Sequence, residues 1–473
     1  MKVTGDLHLM KKLNKSIILD TIREESPVSR AAISEKTGLN KATVSNLVTE
    51  LIASGLVCET GPGESSGGRK PVMLLFNNRA GFAVGIDLGV NYILTVLTDL
   101  QGTIIRERRT PLREQDLTVE RALDRISEAI RWAMAGVPPS PYGVIGIGIG
   151  VPGLVNSEGV ILSAPNLKWH NLDIRSEIER RFQLPVTVDN EANTGALGEK
   201  AYGAFRSAKD MIYVSAGIGI GVGIIVNNNL YRGFSGFSGE MGHMTIHMDG
   251  LPCSCGNRGC WELYASEHAI LTQAARYLAE RSHAENPDNH LHPANPGGKK
   301  PDIEDKPGSE NIPIPDHHAA DPSVAAKKRS DKPFSASNVR NGDGKNGPAS
   351  EQDFAPADAA DLSLDTLIHL AEKGDARIIE LFERVGYYLG IGVANVINTF
   401  NPELVVIGNR LSLLRPWIET SMLQCVEQRS LPYHHKRVHI EFSNLGMKSA
   451  AVGAASLAIQ SFFALTKATV EEG

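Results

Sequence analysis

The sequence predicts an N-terminal, all-α winged helix-turn-helix domain followed by a larger α/β domain. Three observations support this prediction. Apolar residues recur at helical spacing before Gly55. From Gly81 onward, strand-like runs alternate with helical runs, which is typical of an α/β protein. Between the two parts, two short apolar runs flank the glycine-rich segment GPGESSGGRKP, as the strands of a wing would.

The composition is that of a soluble globular protein and not that of a strongly basic nucleic-acid-binding protein. The 473 residues have room for two or three domains, and 42% apolar with 22% charged residues is typical of a soluble globular chain. The net charge of -6 gives no overall cationic signal for nucleic acid. Residues 1–78, however, hold ten Lys and Arg against eight Asp and Glu. A weakly basic first part on an acidic remainder is compatible with DNA binding by the first part alone.

The sequence also bears on the compartment. The start, MKVTGDLHLMKKLNK, lacks the apolar core of a signal peptide, and no stretch long enough to span a bilayer is free of charge. Three of the five cysteines are clustered, which favours a metal site in a reducing compartment over a disulfide framework. We therefore expect a cytoplasmic protein without a membrane partner.

Three helices are predicted in the N-terminal part. The first is defined by apolar residues at helical spacing, namely Leu13, Ile17, Ile18 and Ile22. Ser26-Pro27 ends this helix, and Ser29 can cap the next one. Gly38 allows a tight turn, after which Asn40 can cap a third helix over Lys41–Ser54.

The third helix has one apolar and one polar face. Its inward positions follow i, i+3, i+4, i+7: Val44, Leu47, Val48 and Leu51. Two short helices around a glycine turn, with small polar residues facing outward, form the helix-turn-helix pattern. We therefore predict DNA contacts by Lys41, Thr43, Ser45, Asn46 and Thr49. An ordinary helical bundle is the alternative interpretation.

The segment after the third helix is predicted to be a wing. Arg69 and Lys70 lie in its glycine-rich tip, where they could reach phosphates or enter a minor groove. A plain interdomain linker is the other interpretation. The predicted domains are the DNA-binding domain at 1–62, the wing or linker at 63–78 and the α/β domain at 79–473.

The α/β domain contains several recognisable elements. FAVGIDLGV, YILTVLTDL and TIIRERRT predict a three-stranded meander, followed by a helix over Val119–Ala135. VIGIGIGVPG reads as a buried strand, and LPVTVDNEAN as a strand that leads into a helix at Thr194–Gly203. MIYVSAGIGIGVGIIV predicts two strands around a glycine turn, and SAAVGAASLAIQSFFAL predicts an apolar C-terminal helix.

One segment of the α/β domain has a different composition. Residues from about 282 to 361 hold 11 of the 25 prolines and two aromatic residues. We expect a disordered insertion, because so little apolar surface cannot offset the entropy of ordering. Its five histidines could form a second metal site, although scattered histidines in such a segment are more often solvated.

The run GEMGHMTIHMDGLPCSCGNRGCWE carries a metal-binding pattern. Cys253, Cys255 and Cys260 are spaced C-x-C-x4-C, with His243 ten residues upstream of the first. Three thiolates and one imidazole suit tetrahedral zinc, and four protein ligands leave no position for water, so the site is predicted to be structural. The alternatives are that the cysteines are buried small side chains and that His243 is a core histidine.

The same run brings polar acceptors together. Glu240, His243 and Glu262 flank the predicted metal loop, so the loop would hold them close to one another. A metal-stabilised loop with converging acceptors indicates a ligand pocket.

Taken together, these motifs resemble the ROK family of repressors and sugar kinases, and within it the branch of xylose repressors. The resemblance rests on GEMGH with CSCGNRGCWE, on LNKATVSNLVTELIASGLV and GPGESSGGRKPVML, and on GIDLGVNYI, GVPG, PNLKW and VDNEANTGALGE. It implies an actin-like pair of α/β lobes with a sugar in the cleft between them and structural zinc at the base of one lobe. The sugar contacts implied by position are Asn166, Asn190, Glu191, Glu240, His243 and Glu262.

Departures from the kinase pattern decide between enzyme and regulator. Glu191 stands where kinases of this family have an aspartate that acts as general base. Four further positions, where kinases carry the glycines and threonine that contact ATP, are altered: Val90, Ile218, Val222 and Asn409. We therefore expect no catalytic residues and no kinase activity.

The resulting hypothesis is a sugar-responsive transcriptional repressor, with xylose as the favoured effector. It would bind operator DNA as a homodimer or higher oligomer, because one small recognition helix makes few base contacts. The alternatives are a ROK sugar kinase with an added DNA-binding domain, and a repressor that responds to glucose, an N-acetylated sugar or a sugar phosphate.

Overall fold

The computed structural model describes residues 7–62, 71–285 and 362–468. The wing-tip residues Arg69 and Lys70 lie outside the described residues, as does the predicted insertion from residue 286 to 361. Residues 1–276 and 361–473 group into one compact unit, and residues 277–360 into a second.

The N-terminal part, here called the head, contains three helices: α1 (Leu7–Glu25), α2 (Arg30–Thr37) and α3 (Lys41–Ala53). The predicted caps are confirmed. Ser29 Oγ accepts a hydrogen bond from the amide of Ala32, and Asn40 Oδ1 accepts one of 2.8 Å from the amide of Thr43. Gly38 ends α2 with a φ of 71°, a left-handed conformation that glycine adopts without a steric penalty.

A small sheet completes the head. Its strands β1 (Val28–Ser29), β2 (Val57–Pro62) and β3 (Val72–Phe76) pair antiparallel in the order β1-β3-β2. The second and third strands are those predicted for the wing, and the short first strand adds an edge between α1 and α2. The head is therefore a winged helix-turn-helix.

The first sheet of the larger part, here called the body, has five strands in the order β11-β7-β4-β5-β6. The strands of the meander are antiparallel and those beyond it parallel: β4 (Phe82–Leu88), β5 (Tyr92–Asp99), β6 (Ile104–Pro111), β7 (Val144–Val151) and β11 (Val186–Asn190). The apolar side of α4 (Val119–Met134) packs against this sheet. A small sheet and one helix follow the fourth of these strands: β8 (Leu154–Val155), β9 (Ile161–Ala164), β10 (Trp169–Leu172) and α5 (Ile174–Phe182).

Helix α6 (Glu191–Tyr202) begins three residues earlier than predicted. The amides of Ala192 and Asn193 donate to Asn190 Oδ1, at 2.8 and 3.2 Å, so the asparagine at the strand end caps the helix immediately. The prediction of a start at Thr194 was wrong, because the apolar pattern does not reveal a cap that coincides with the last strand residue.

The second sheet of the body has the order β14-β13-β12-β15-β16. Its strands are β12 (Met211–Ala216), β13 (Ile220–Val226), β14 (Asn229–Leu230), β15 (Leu404–Gly408) and β16 (His439–Phe442). The remaining helices are α7 (Glu262–Ala265), α8 (Glu267–Glu285), α9 (Leu364–Glu372), α10 (Ala376–Phe400), α11 (Arg415–Arg429), α12 (Pro432–His435) and α13 (Ser449–Ala468). Within the described ranges, no helix is both long and apolar enough to span a bilayer.

Helices α6 and α13 form a layer between the two sheets. The first packs on β12 and β13, and the second on β4 and β7. Their backbones touch directly, because a Cβ at Gly453 would collide with the carbonyl oxygen of Thr194. The two helices therefore connect both sheets of the body. The first residue of α6, Glu191, is one of the predicted sugar contacts.

Candidate functional site

Four carboxyl groups lie close enough for their charges to interact, in a region here called the cleft: Asp87 and Glu240 act on Glu191, and Glu262 acts on Glu240. Glu191 opens α6, and its Oε2 is buried without a hydrogen-bond partner among the described residues. Burial, together with the nearby charges of Asp87 and Glu240, raises the pKa of Glu191 to about 8. An unpartnered buried carboxyl is costly unless a ligand completes it, which favours a ligand site.

The glycine turn between β12 and β13, together with the start of β13, forms one wall of the cleft. A methyl group on Gly221 would lie 3.1 Å from Glu191 Oε1, and one on Gly219 would lie 2.9 Å from Glu262 Oε2. Both glycines therefore allow the chain to pass close to acids of the cleft. This turn brings Glu191 and Glu262, which are far apart in the sequence, to the same surface.

Asn190 is largely occupied by structural contacts. Its Oδ1 caps α6, and its Nδ2 donates a 2.9 Å hydrogen bond to the carbonyl of Gly153. The preceding residue, Asp189, is buried and pairs with Arg232 at 2.6 Å. Asn166 lies exposed on the short turn after β9, and no hydrogen bond among the described residues links it to the cleft acids.

Three residues that the sequence analysis did not select complete the cleft. Tyr92 donates a 2.7 Å hydrogen bond to the buried Asp87, and the Arg109 guanidinium lies 4.8 Å from the Tyr92 ring centroid. Burial raises the pKa of Asp87 to about 6, against the opposing effects of Tyr92 and Arg109. The sequence feature that could have revealed Asp87 is a single acidic residue within the otherwise apolar strand FAVGIDL.

The predicted metal ligands come together. One atom each of His243, Cys253, Cys255 and Cys260 lies within 4.8 Å of the others, so the four residues, here called the metal group, could hold an ion. Cys253 Sγ is 3.6 Å from His243 Nδ1, and Cys255 Sγ is 3.7 Å from Cys260 Sγ. Tetrahedral zinc with Zn–S bonds of about 2.3 Å requires sulfur atoms about 3.8 Å apart, so the donor set fits that ion.

Burial and the neighbouring sulfur atoms raise the pKa of Cys260 to about 12. Three thiolates would not share this space without a cation to neutralise them, and a bound metal supplies that charge. The sulfur chemistry therefore agrees with the spacing.

The loop that carries the metal group is anchored on helix α10. The Trp261 ring is fully buried, and its Nε1 donates a 3.0 Å hydrogen bond to the carbonyl of Tyr388 on α10. Gly392 on the same helix has no side chain that would collide with this ring. Glu262 follows the tryptophan directly, so this anchor also positions an acid of the cleft.

His243 lies between the metal group and the cleft. Its Nδ1 is 3.6 Å from Cys253 Sγ and 3.3 Å from Glu262 Oε1. If Nδ1 binds the metal, the other ring nitrogen remains available as a donor. The predicted double role of His243, as metal ligand and sugar contact, is therefore chemically consistent.

The head presents the expected face. Val44, Leu47, Val48 and Leu51 are buried, whereas Lys41, Ser45, Asn46 and Thr49 are exposed and Thr43 is partly exposed. Thr49 Oγ1 donates to the carbonyl of Ser45 at 2.9 Å, which leaves its oxygen available as an acceptor. The polar face of α3 is thus free to contact a ligand in the described structure.

Asn409, one of the positions at which the sequence departs from the kinase pattern, and its neighbour Arg410 make polar contacts within the body. Asn409 Nδ2 donates to Ser215 Oγ at 3.1 Å and lies against Gly217. Arg410 is buried and pairs with Glu267 at 3.0 Å.

Comparison with known proteins places these features in a family. The model described as "ROK family" matches residues 83–294 and 345–461, and the model described as "Winged helix-turn-helix DNA-binding" matches residues 14–57. The chain belongs to the ROK family. A xylose repressor of Bacillus spizizenii is 37% identical over 463 residues, which cover 98% of this chain and 99% of the relative.

Two solved structures are also similar. A ROK family transcriptional regulator, a homologue of the E. coli MLC protein, aligns with a TM-score of 0.68 and 26% identity over 97% of this chain and 99% of its own. A ROK family glucokinase from Streptomyces griseus, in complex with glucose and AMPPNP, aligns with a TM-score of 0.58 and 25% identity over 80% of this chain and all of its own. The predicted actin-like, two-lobed ROK fold with an N-terminal winged helix-turn-helix is thereby confirmed.

Proposed function

We propose that this chain is a sugar-responsive transcriptional repressor of genes for xylose use, released from operator DNA when xylose binds the cleft. The observation that carries the proposal is the buried, unpartnered carboxyl of Glu191 in a chain that also carries a winged helix-turn-helix. Full-length similarity to a xylose repressor supports the choice of sugar. Operator DNA as partner places the protein in the bacterial cytoplasm, at the nucleoid when bound.

Xylose is an uncharged ring of hydroxyl groups, and the cleft offers matching partners. A carboxylate accepts two hydroxyl donors, and a protonated Glu191 can both donate and accept. The proposed sugar contacts are Asn166, Asn190, Glu191, Glu240, His243 and Glu262. Since four carboxyl groups border the cleft, we expect an uncharged sugar in preference to a sugar phosphate.

The kinase alternative is disfavoured by the contacts of Asp87 and Asn409. By the resemblance, Asp87 stands where an aspartate opens the first phosphate loop of ROK kinases, and here Tyr92 already donates a hydrogen bond to it. Asn409 stands where kinases of the family carry a glycine, and its side chain is already held by Ser215, which supports the same conclusion. We therefore expect no ADP release above background when the protein is mixed with magnesium, ATP and a panel of sugars. Robust turnover would overturn the assignment as a regulator.

Zinc is proposed as a structural ion in the metal group. It would neutralise the three thiolates and hold the loop on which Glu240, His243 and Glu262 are positioned. All four ligand positions are filled by protein, so the ion supplies no reactive water to the cleft.

DNA recognition is proposed for the polar face of α3, with the wing beside it. Lys41, Thr43, Ser45, Asn46 and Thr49 would enter the major groove, and Arg69 with Lys70 would contact the backbone or minor groove. We propose residues 1–62 as the DNA-binding domain, 63–78 as wing or linker and 79–473 as the sugar-binding domain. A homodimer would place two heads on two half-sites, so the operator should be palindromic.

A two-step experiment tests the proposal. First, melting temperature is measured with xylose, glucose and N-acetylglucosamine, since a ligand that binds the folded state stabilises it. Next, the binding of a duplex selected from random sequence by the wild-type protein is measured with and without each sugar. Xylose should give the largest thermal shift and weaken duplex binding. A larger response to another sugar would reassign the effector, and no response to any sugar would refute the function.

The Glu191→Ala variant tests whether the response to sugar depends on the cleft. It should lose the thermal shift and the release from DNA while it retains duplex binding. Glu380→Ala, on the exposed surface of α10, serves as the matched control and should behave like the wild type.

A further inference from the structure

The head and the body share a buried apolar core, and at its edge lies an aromatic and cationic contact, here called the junction. The guanidinium of Arg23, near the end of α1, lies 4.3 Å from the ring centroid of Phe463 on α13. It also lies 5.7 Å from the ring of Phe76 at the end of β3, and the two rings are 6.3 Å apart. Arg23 therefore bridges a strand of the head and the last helix of the body.

The surroundings of Arg23 leave room for movement. A cavity of about 530 Å³ lies beside it, lined by Asp20, Arg23, Glu24, Gln101, Tyr202 and Arg206 among others. Arg23 thus faces an open, polar cavity on one side and the buried rings of Phe76 and Phe463 on the other, so its guanidinium can shift without displacing packed side chains. Arg23 Nη1 is 3.5 Å from Asp20 Oδ1, so an alternative partner for the guanidinium is already at hand.

One rigid element connects this cavity to the cleft. Helix α6 begins at Glu191 in the cleft and ends at Tyr202 in the cavity wall, a length of roughly 17 Å at 1.5 Å per residue. Its backbone contact with α13 at Gly453 prevents the two helices from sliding freely. A displacement of α6 when a sugar engages Glu191 would therefore move α13, and with it Phe463.

We propose that Arg23 is the positioning residue through which the state of the cleft reaches the DNA-reading head. The inference rests on the proposed function. Arg23 stacks on Phe463 in one state of the protein, and movement of the α6–α13 pair weakens that stacking in the other. A contact transmits a signal only if its strength differs between the two states, and a cation over a ring depends steeply on position. Arg23 touches neither DNA-facing residues of α3 nor the cleft.

The test measures the effect of xylose on DNA binding separately from the affinity of the protein for each ligand alone. Arg23→Ala and Arg23→Lys are compared with the wild type by titration with the selected duplex, with and without saturating xylose, and by titration with xylose alone. We expect both single affinities of Arg23→Ala to stay within about twofold of the wild type, while the factor by which xylose weakens DNA binding falls from about fivefold or more to less than about twofold. Arg23→Lys keeps a cation over the ring and should restore part of that factor.

A matched control is available elsewhere in the body. Arg415 also stacks over a ring, 5.2 Å from Phe442, and also forms an ion pair, with Glu419 at 2.8 Å. Arg415→Ala should leave the coupling factor unchanged. If Arg23→Ala does not fold, Phe463→Leu removes the ring while retaining apolar volume and is expected to lose coupling in the same way.

The outcomes separate this inference from the proposed function. The role of Arg23 would be overturned if xylose weakened DNA binding in Arg23→Ala as strongly as in the wild type, or did so in Phe463→Leu where that variant replaces it. An equal loss of this effect in Arg415→Ala would also overturn it. A wild-type protein whose DNA binding ignores every sugar would instead overturn the proposed function, and the junction inference with it.

Discussion

Replacing Glu191 with glutamine tests the electrostatics of the cleft. The pKa of Glu191 is raised from 4.5 to about 8 in the folded protein, so the folded chain retains a proton that the unfolded chain releases above pH 4.5. The stability of the wild type should therefore fall as the pH rises from about 4.5 to about 8, and level off above that. Glutamine cannot ionise, so the variant should lack this loss.

The magnitude follows from the size of the pKa shift. Each pH unit between the two values is worth about 1.4 kcal/mol, so the wild type should lose about 4 kcal/mol between pH 5 and pH 8 relative to Glu191→Gln. For a chain of this length, 1 kcal/mol moves the melting temperature by roughly 1 °C. The gap in melting temperature should therefore widen by about 4 °C over that range.

The assay is thermal unfolding of both proteins, without sugar, in half-unit steps from pH 5 to pH 8.5. Comparing the two proteins removes the contribution of titrating groups that do not interact with Glu191, whereas Asp87 and Glu240 are coupled to it and titrate as part of the same cluster. Glu380→Gln, on the exposed surface of α10, is the matched control and should run parallel to the wild type. Parallel melting curves for Glu191→Gln and the wild type would refute the claim that this carboxyl is buried and unpartnered.

Three further predictions concern the head, the metal group and the cleft. Asn46→Ala should weaken specific DNA binding by about 1–3 kcal/mol in fluorescence anisotropy and leave the xylose affinity unchanged; equal loss of both would indicate misfolding. Cys255→Ser should lower the bound zinc, measured by atomic emission, below one ion per chain and lower the melting temperature, whereas a metal-free wild type would contradict the assigned ligands. Glu262→Gln should bind operator normally but release it poorly in xylose, and unchanged release would remove Glu262 from the sugar site.

Much of the head was predictable from the sequence because its signals are local. A cap such as Asn40 acts on an amide three residues away, and the buried face of α3 repeats every three to four residues. The metal group was also predictable, since its three cysteines lie within one loop. In each case the interacting residues are close in sequence, so their spacing is enough to predict which of them come together.

Other parts of the site depend on contacts that sequence spacing does not reveal. Arg109 reaches Tyr92 from the next strand, so their contact depends on strand register. Arg23 meets Phe463 only because α13 returns to the head from the far end of the chain. The start of α6 was misplaced because Asn190 ends a strand and caps a helix at the same time. Such pairings follow from tertiary packing, which local patterns do not specify.

If one protein binds sugar and operator with opposing effects, the two affinities must depend on each other, and a reciprocal titration measures that dependence. The xylose dissociation constant is measured by calorimetry with and without saturating operator duplex, and the operator constant with and without saturating xylose. We expect each ligand to weaken the binding of the other by the same factor, about fivefold or more. A xylose affinity that does not change when the operator is bound would contradict it.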